Sequence, residues 1–363
     1  MSAQSSVLNL NAGVAGVHAK RSRVLALVLM LAIAGIFWVD SRYPALMKRY
    51  HAGRQVKASG VLTFGTVYAV DRTLPLGRRV WRTTVNWLDA NRIGMTFSFL
   101  FGPAALTFLA TLPRRRAKSR WTNALLGAVA GTPLAVCTNC VAPIARGLFA
   151  SGMSTESVLA TMFASPALNV VVLAMSFALF PVSVALLKLA TVLFLIFVFA
   201  PMAAPWRKAP SAEFACPIEV PIAETWPQAL RSVARSFGRS FWYVFRLAFP
   251  LMLLAAVLGA LVAELLPAQT IVAAHVTLGG IVLVALVGAF LPVPMAFDVA
   301  IAYVAMTRGV PLPYVVTILC TLGIVSVYSL LIIGKAISWR VAAAAYGTVV
   351  GLGAVTGVIA RGI

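Results

Sequence analysis

Residues 157–187 read SVLATMFASPALNVVVLAMSFALFPVSVALL and carry no formal charge. A helix crossing the hydrocarbon layer of a membrane needs about 20 apolar residues, so this stretch holds one crossing and part of another. Inside lipid such a run must be helical, because no water is there to pair with backbone amides. Two other stretches make the same demand. Residues 265–297 carry only His275 among charge-bearing side chains, and residues 309–334 carry none.

The whole composition agrees. The chain has 363 residues, of which 61% are hydrophobic and 11% charged, with a mean hydropathy of +0.94. A soluble domain carries about 25% charged residues. This sequence cannot cover itself with polar side chains, so the lipid bilayer is its expected solvent. The net charge of +21, from 30 basic and nine acidic residues, could suggest nucleic acid. Placement argues otherwise. Basic residues crowd the connectors, as at Arg114, Arg115, Arg116, Lys118 and Arg120, or Arg231, Arg235 and Arg239. That is where the positive-inside bias and anionic headgroups favour them. No basic face with interleaved aromatics appears, so nucleic acid is not an expected partner.

The expected fold is all-α and polytopic, with about 8–11 transmembrane helices in two related halves containing broken or short helices. Residues 1–40 read as a tail and an uncleaved first helix, and 41–92 as a basic extramembrane segment. Residues 93–204 read as a first repeat, 205–240 as a polar connector ending in an interfacial helix with Arg231, Arg235 and Arg239 at helical spacing, and 241–363 as a second repeat; 41–92 has room for one surface helix. Full spans are expected near 93–112, 121–136, 158–180, 182–203, 241–265, 270–290, 315–333 and 341–360. Between them lie short apolar pieces at 141–149 and 295–304, each beside prolines: Pro133 and Pro143, then Pro292 and Pro294. Broken helices in matching places of two halves point to a substrate site at the midplane of a secondary transporter. An offset of 157 positions lays Gly131 on Gly288 and Gly152 on Gly309. The basic connectors satisfy the positive-inside rule if they share the cytoplasmic side with the N-terminus. That arrangement needs the short pieces to count as crossings and sets the repeats in opposite orientations.

Cys137-Thr138-Asn139-Cys140 is the sharpest local signal. Two thiols three apart share one helical face and can hold one soft centre or form a reversible disulfide. Two donors do not complete a tetrahedral zinc site, so a metal reading rests on Cys137 and Cys140 alone. The competing reading is two buried cysteines acting as small hydrophobes. Ser165-Pro166-Ala167-Leu168-Asn169 offers polar groups and a freed carbonyl inside an apolar span, suiting either a substrate-lining kink or an ordinary proline kink. Asp298 is costly in lipid unless protonated, paired or wet. It is a candidate proton-coupling residue, with Arg146, Lys188 or Arg308 as partners. Cys320 reads as core, Cys216 is assigned nothing, and His275 reads as an interhelical hydrogen-bonding residue. No phosphate loop, H-E-x-x-H or nucleophile elbow occurs. An enzyme is therefore not expected, nor is a cofactor.

Val136-Cys137-Thr138-Asn139-Cys140-Val141-Ala142-Pro143, then Gly152, then Ser165-Pro166-Ala167-Leu168-Asn169, resembles the ArsP/YraQ-like predicted permeases. The resemblance is strongest over about 120–205. It implies a multi-helix permease with two related halves, some members looking like efflux systems for trivalent organoarsenicals and others tied to metal resistance. Cys137, Pro143, Ser165, Pro166 and Asn169 stand at matching positions. The second cysteine falls at residue 140, where the family often has glycine. Leu291-Pro292-Val293-Pro294 and Asp298 stand where many members repeat a cysteine motif. The resulting expectation is a multi-pass permease of a bacterial inner membrane that exports a small thiophilic solute. Cys137, Asn139, Cys140, Pro143, Ser165, Pro166 and Asn169 would form its substrate path. A membrane thiol–disulfide electron carrier is the alternative, and a homo-oligomer is left open.

Overall fold

The computed structural model describes residues 21–44, 47, 67–71, 73–111, 119–206, 225–265 and 276–362. Among them are thirteen helices and no strand. They are α1 (Arg21–Arg42), α2 (Leu76–Leu109), α3 (Arg120–Gly131), α4 (Thr138–Ala150), α5 (Thr155–Ala167), α6 (Val170–Leu179) and α7 (Val182–Trp206). After the connector come α8 (Trp226–Leu265), α9 (Leu278–Phe290), α10 (Phe297–Thr307), α11 (Leu312–Thr321), α12 (Val327–Ala336) and α13 (Trp339–Ile359).

Five of these helices, α1, α2, α7, α8 and α13, are long and apolar enough to cross a membrane, and α5 and α6, bent by 47°, meet the same measure together as a broken span or a re-entrant pair. The chain is an all-helical polytopic membrane protein. Its remaining apolar helices are half-length. Exposed Leu, Val and Phe side chains line the outer faces. Exposed Trp121, Trp206, Trp226 and Trp339 mark helix ends, as expected of an aromatic belt at the headgroup level.

Side-chain contacts fix the directions. Arg23 donates to the Thr111 carbonyl at 3.1 Å and Phe37 stacks on Phe97, so α1 and α2 are antiparallel. Thr107 meets Ser240 near one end and Arg79 pairs with Glu264 at the other, so α2 and α8 are antiparallel too. In the first half, Gly127 of α3 faces Ser157 of α5, and Gly131 faces Thr161. The two helices therefore run side by side in the same direction, and α4 between them must run back. Thus α3 and α4 form a re-entrant hairpin whose tip lies inside the molecule. The second half repeats this from the opposite end. Gly280 faces Tyr314 and Gly288 faces Thr321, so α9 and α11 are parallel and α10 returns between them.

The offset read from two glycines extends to the helices. Thr155 and Leu312, Val170 and Val327, and Val182 and Trp339 open corresponding helices, each pair 157 apart. Gly152 and Gly309 both adopt positive φ, 89° and 81°, in the tight turn after each hairpin. At the hairpin tips the register slips by two, α4 opening at Thr138 and α10 at Phe297. The two halves are inverted copies. Arg21, Arg23, Arg120, Arg231, Arg235, Arg239, Lys335 and Arg340 consequently fall at one end of the bundle, with helix ends as the contacts above place them.

Several expected boundaries move. Within 41–92 helix begins at Leu76, and within 205–240 it begins at Trp226, with Arg231, Arg235 and Arg239 at helical spacing. Both helices run on into the bilayer, at about 51 and 60 Å in length against a hydrocarbon layer of about 30 Å. Helix continues past the point where hydrophobicity ends, which composition alone does not reveal. The expected spans 121–136, 158–180 and 315–333 are each interrupted, at Thr132–Cys137, Leu168–Asn169 and Leu322–Ser326. The short pieces are return arms of hairpins and not separate crossings. His275 and Cys216 lie outside the described residues.

Candidate functional site

The chain breaks converge. Ala135, in the left-handed region at φ 47°, turns the chain out of the first hairpin arm, and Cys137 caps α4 by accepting the Cys140 amide at 3.2 Å. The break lies ahead of Pro143, which sits inside α4 and presents its carbonyl to Gly102. Asn169 caps α6 by accepting from the Val172 amide at 3.0 Å. Its amide also donates to the carbonyls of Ser165 and Pro166, at 2.9 and 3.0 Å. Ser165 reaches across to the backbone N–H and C=O of Val136, at 3.3 and 3.4 Å. Ser165, Pro166 and Asn169 thus fasten two breaks together, each buried polar group being satisfied by a neighbour.

The second half docks on the same point. Thr138 donates to the Gly323 carbonyl, Asn139 donates to the Val293 carbonyl at 3.3 Å, and Ser326 donates to Asn139 at 2.7 Å. Trp87 of α2 holds the Pro292 carbonyl at 2.7 Å. Gly323, at φ 79°, brings its backbone against Asp298 in the first turn of α10, where a Cβ would stand 3.3 Å away. Four helices therefore begin within one network: α4 at Cys137, α6 at Asn169, α10 at Ala296 and α12 at Ser326. Each helix N-terminus carries about half a positive charge, so the centre favours a partner with negative character.

The two thiols lie in this centre. Their sulfurs are 2.7 Å apart, and both residues are almost fully buried. Cys137 Sγ stands 3.7 Å from Asn91 Oδ1, and Gly94 makes room for Cys140, since a Cβ there would lie 2.6 Å from its sulfur. Closing to a disulfide of about 2.05 Å and opening around one soft atom are both small moves from here. Two cavities of about 420 and 440 Å³ flank α1, and neither is lined by the thiols. The pair is enclosed in this conformation. Among the described residues no group of three or more His, Cys, Asp or Glu gathers where it could hold a metal ion.

Asp298 pairs with Lys188 of α7, and both side chains are buried. Of the three cations considered from sequence, Lys188 is the partner. Cys320 belongs to a separate apolar cluster with Val299, Val316 and Leu319, apart from the cluster containing Cys137 and Cys140, and does not join that pair.

The comparisons follow this geometry. A family described as a predicted permease, ArsP_1, matches residues 93–362. The chain belongs to this family. The UPF0718 protein YraQ of Escherichia coli (strain K12) is 29% identical over 232 residues, covering 62% of this chain and 64% of that relative. The match thus spans just under two thirds of the relative's length. No solved structure matches. The family's match begins at residue 93, inside α2, and takes in both inverted halves while leaving α1 outside.

Sequence reading alone left Asn91, Gly94, Ser326 and Gly323 unassigned. The repeat offset could have found Ser326, because it places that residue on Asn169, the equivalent helix cap. Gly94 and Asn91 give no such signal, since they reach the thiols only through packing of α2 against α4.

Proposed function

We propose that this permease moves a small thiophilic solute through the centre where its broken helices meet, with Cys137 and Cys140 as the transient clamp. The observation that carries this is the position of the thiol pair at the junction of both inverted halves. Inverted repeats that rock about a central site would expose it to the two sides in turn. Asn139 and Thr138 would sense the motion, since their bonds to Val293, Ser326 and Gly323 join the halves. Ser165, Pro166 and Asn169 would border the path as hinge fasteners, and Pro143 would seat α4 on α2. Soft thiolates select soft cargo such as trivalent arsenicals, Cu(I) or reduced sulfur species. Lys188–Asp298 would be the coupling site, its proton exchange timed by movement of the α10 hairpin arm. The chain would sit in a bacterial inner membrane and work as an exporter.

Uptake into inside-out vesicles of phenylarsonous acid, Cu(I) and thiosulfate tests the reading. Wild-type protein should carry at least one, and Cys137→Ser should lose it. Equal uptake by the two proteins contradicts the clamp. A second reading, a thiol–disulfide electron carrier, is favoured by the short approach of the two sulfurs. It predicts a Cys137–Cys140 disulfide that cycles with a dithiol partner during turnover.

A further inference from the structure

Between the thiols and the arginine-rich end, α4 carries one more group that the clamp does not use. Arg146 is buried at 4% exposure, two turns beyond Cys140 along the same helix. Its guanidinium lies over the ring of Tyr243 on α8, 4.4 Å from the centroid. Arg246, one turn further along α8 and exposed, approaches the same ring at 5.9 Å. Tyr328 at the start of α12 is fully buried. Its hydroxyl donates to the Ala248 carbonyl at 3.0 Å. An exposed and a buried guanidinium thus share the Tyr243 ring on the α4 side that leads from the thiols.

A buried arginine is expensive in a membrane protein and characteristically lines a solute pathway. Two like charges near one aromatic ring in a low-dielectric setting repel each other, and an anion bound beside them would offset that repulsion. The convergence of four helix N-termini at the thiols favours the same sign of charge. We propose that Arg146, with Tyr243 and Arg246, forms an anion station on the path to the thiol clamp. The solute is then an oxyanion with a soft terminal sulfur, guided by the guanidinium and held by S–H donation from the thiols. This rests on the thiophilic-permease reading and adds a charge requirement to it.

The test uses full-length protein in vesicles and two probes, thiosulfate, which is anionic with a soft terminal sulfur, and phenylarsonous acid, which is uncharged at neutral pH. Thiosulfate uptake should fall about tenfold or more in Arg146→Gln and recover in part in Arg146→Lys, a loss of about 1.4 kcal/mol or more of binding. Any phenylarsonous acid uptake should be the same in both variants as in wild type. Monodisperse elution and an unchanged melting temperature would exclude misfolding. Equal loss of both probes would mark Arg146 as structural and overturn the proposal, as would transport of Cu(I) or the neutral probe without thiosulfate. Cys137→Ser separates the two claims. If that variant keeps wild-type thiosulfate uptake while Arg146→Gln loses it, the clamp fails and the anion station stands.

Discussion

At the scale of single residues, the central demand is that small groups make room for sulfur. Gly94 is the clearest instance, because a methyl group there would stand 2.6 Å from Cys140 Sγ. Gly94→Ala should push the thiol off Cys137 and reduce solute uptake while leaving the helices intact, as read by uptake and by circular dichroism on one preparation. Normal uptake would show that the two sulfurs need not be gathered. Asp298 and Lys188 pose a different question. Removing one partner of a buried ion pair leaves an uncompensated charge and costs about 3–5 kcal/mol, whereas replacing both by apolar groups can be neutral or stabilising. Asp298→Leu alone should lower thermal stability, and Lys188→Met with Asp298→Leu should restore it. If the pair couples protons, the restored variant will still have lost the pH dependence of uptake. The sequence named Asp298 and three candidate cations, and only packing of α7 on α10 could select among them.

Among elements, the short helices carry the architecture. The α3–α5 pair lies so close that a Cβ on Gly127 would meet the Ser157 backbone, and one on Gly131 the Thr161 carbonyl at 2.7 Å. Extra methyl groups in such a seam cost about 1–3 kcal/mol. Gly127→Ala should lower the melting temperature of detergent-solubilised protein, and a further drop is expected when Gly131→Ala is added. An unchanged melting temperature would refute the close packing. Hydropathy found the breaks through Pro133, Pro166, Pro292 and Pro294, but read the short pieces as crossings. The distinction between a crossing and a returning arm depends on which neighbour runs parallel, and that information sits in Gly127–Ser157 and Gly288–Thr321 contacts that no single-strand pattern carries.

Across the whole molecule, two inverted halves meet at side chains that a rocking motion must part. Ser326–Asn139 and Thr138–Gly323 are buried cross-half bonds, each worth about 0.5–1.5 kcal/mol net. Asn139→Ala should weaken the enclosed conformation, raising thiol reactivity in the absence of solute. No change in reactivity would place the moving interface elsewhere. The helical membrane class, the repeat offset and the thiol motif were legible in composition and spacing. The inverted topology was legible only as a demand of the positive-inside rule, and the spacing of Arg231, Arg235 and Arg239 marked a helix without showing that it runs unbroken into the span of α8. Permeability of the centre to both sides is the claim on which the rest depends. The direct measurement is modification of Cys137 and Cys140 by a membrane-impermeant maleimide in right-side-out and inside-out vesicles, in protein lacking Cys216 and Cys320. The account predicts labelling from both sides, suppressed by saturating transported solute. Labelling from neither side while uptake continues at the wild-type rate would contradict it.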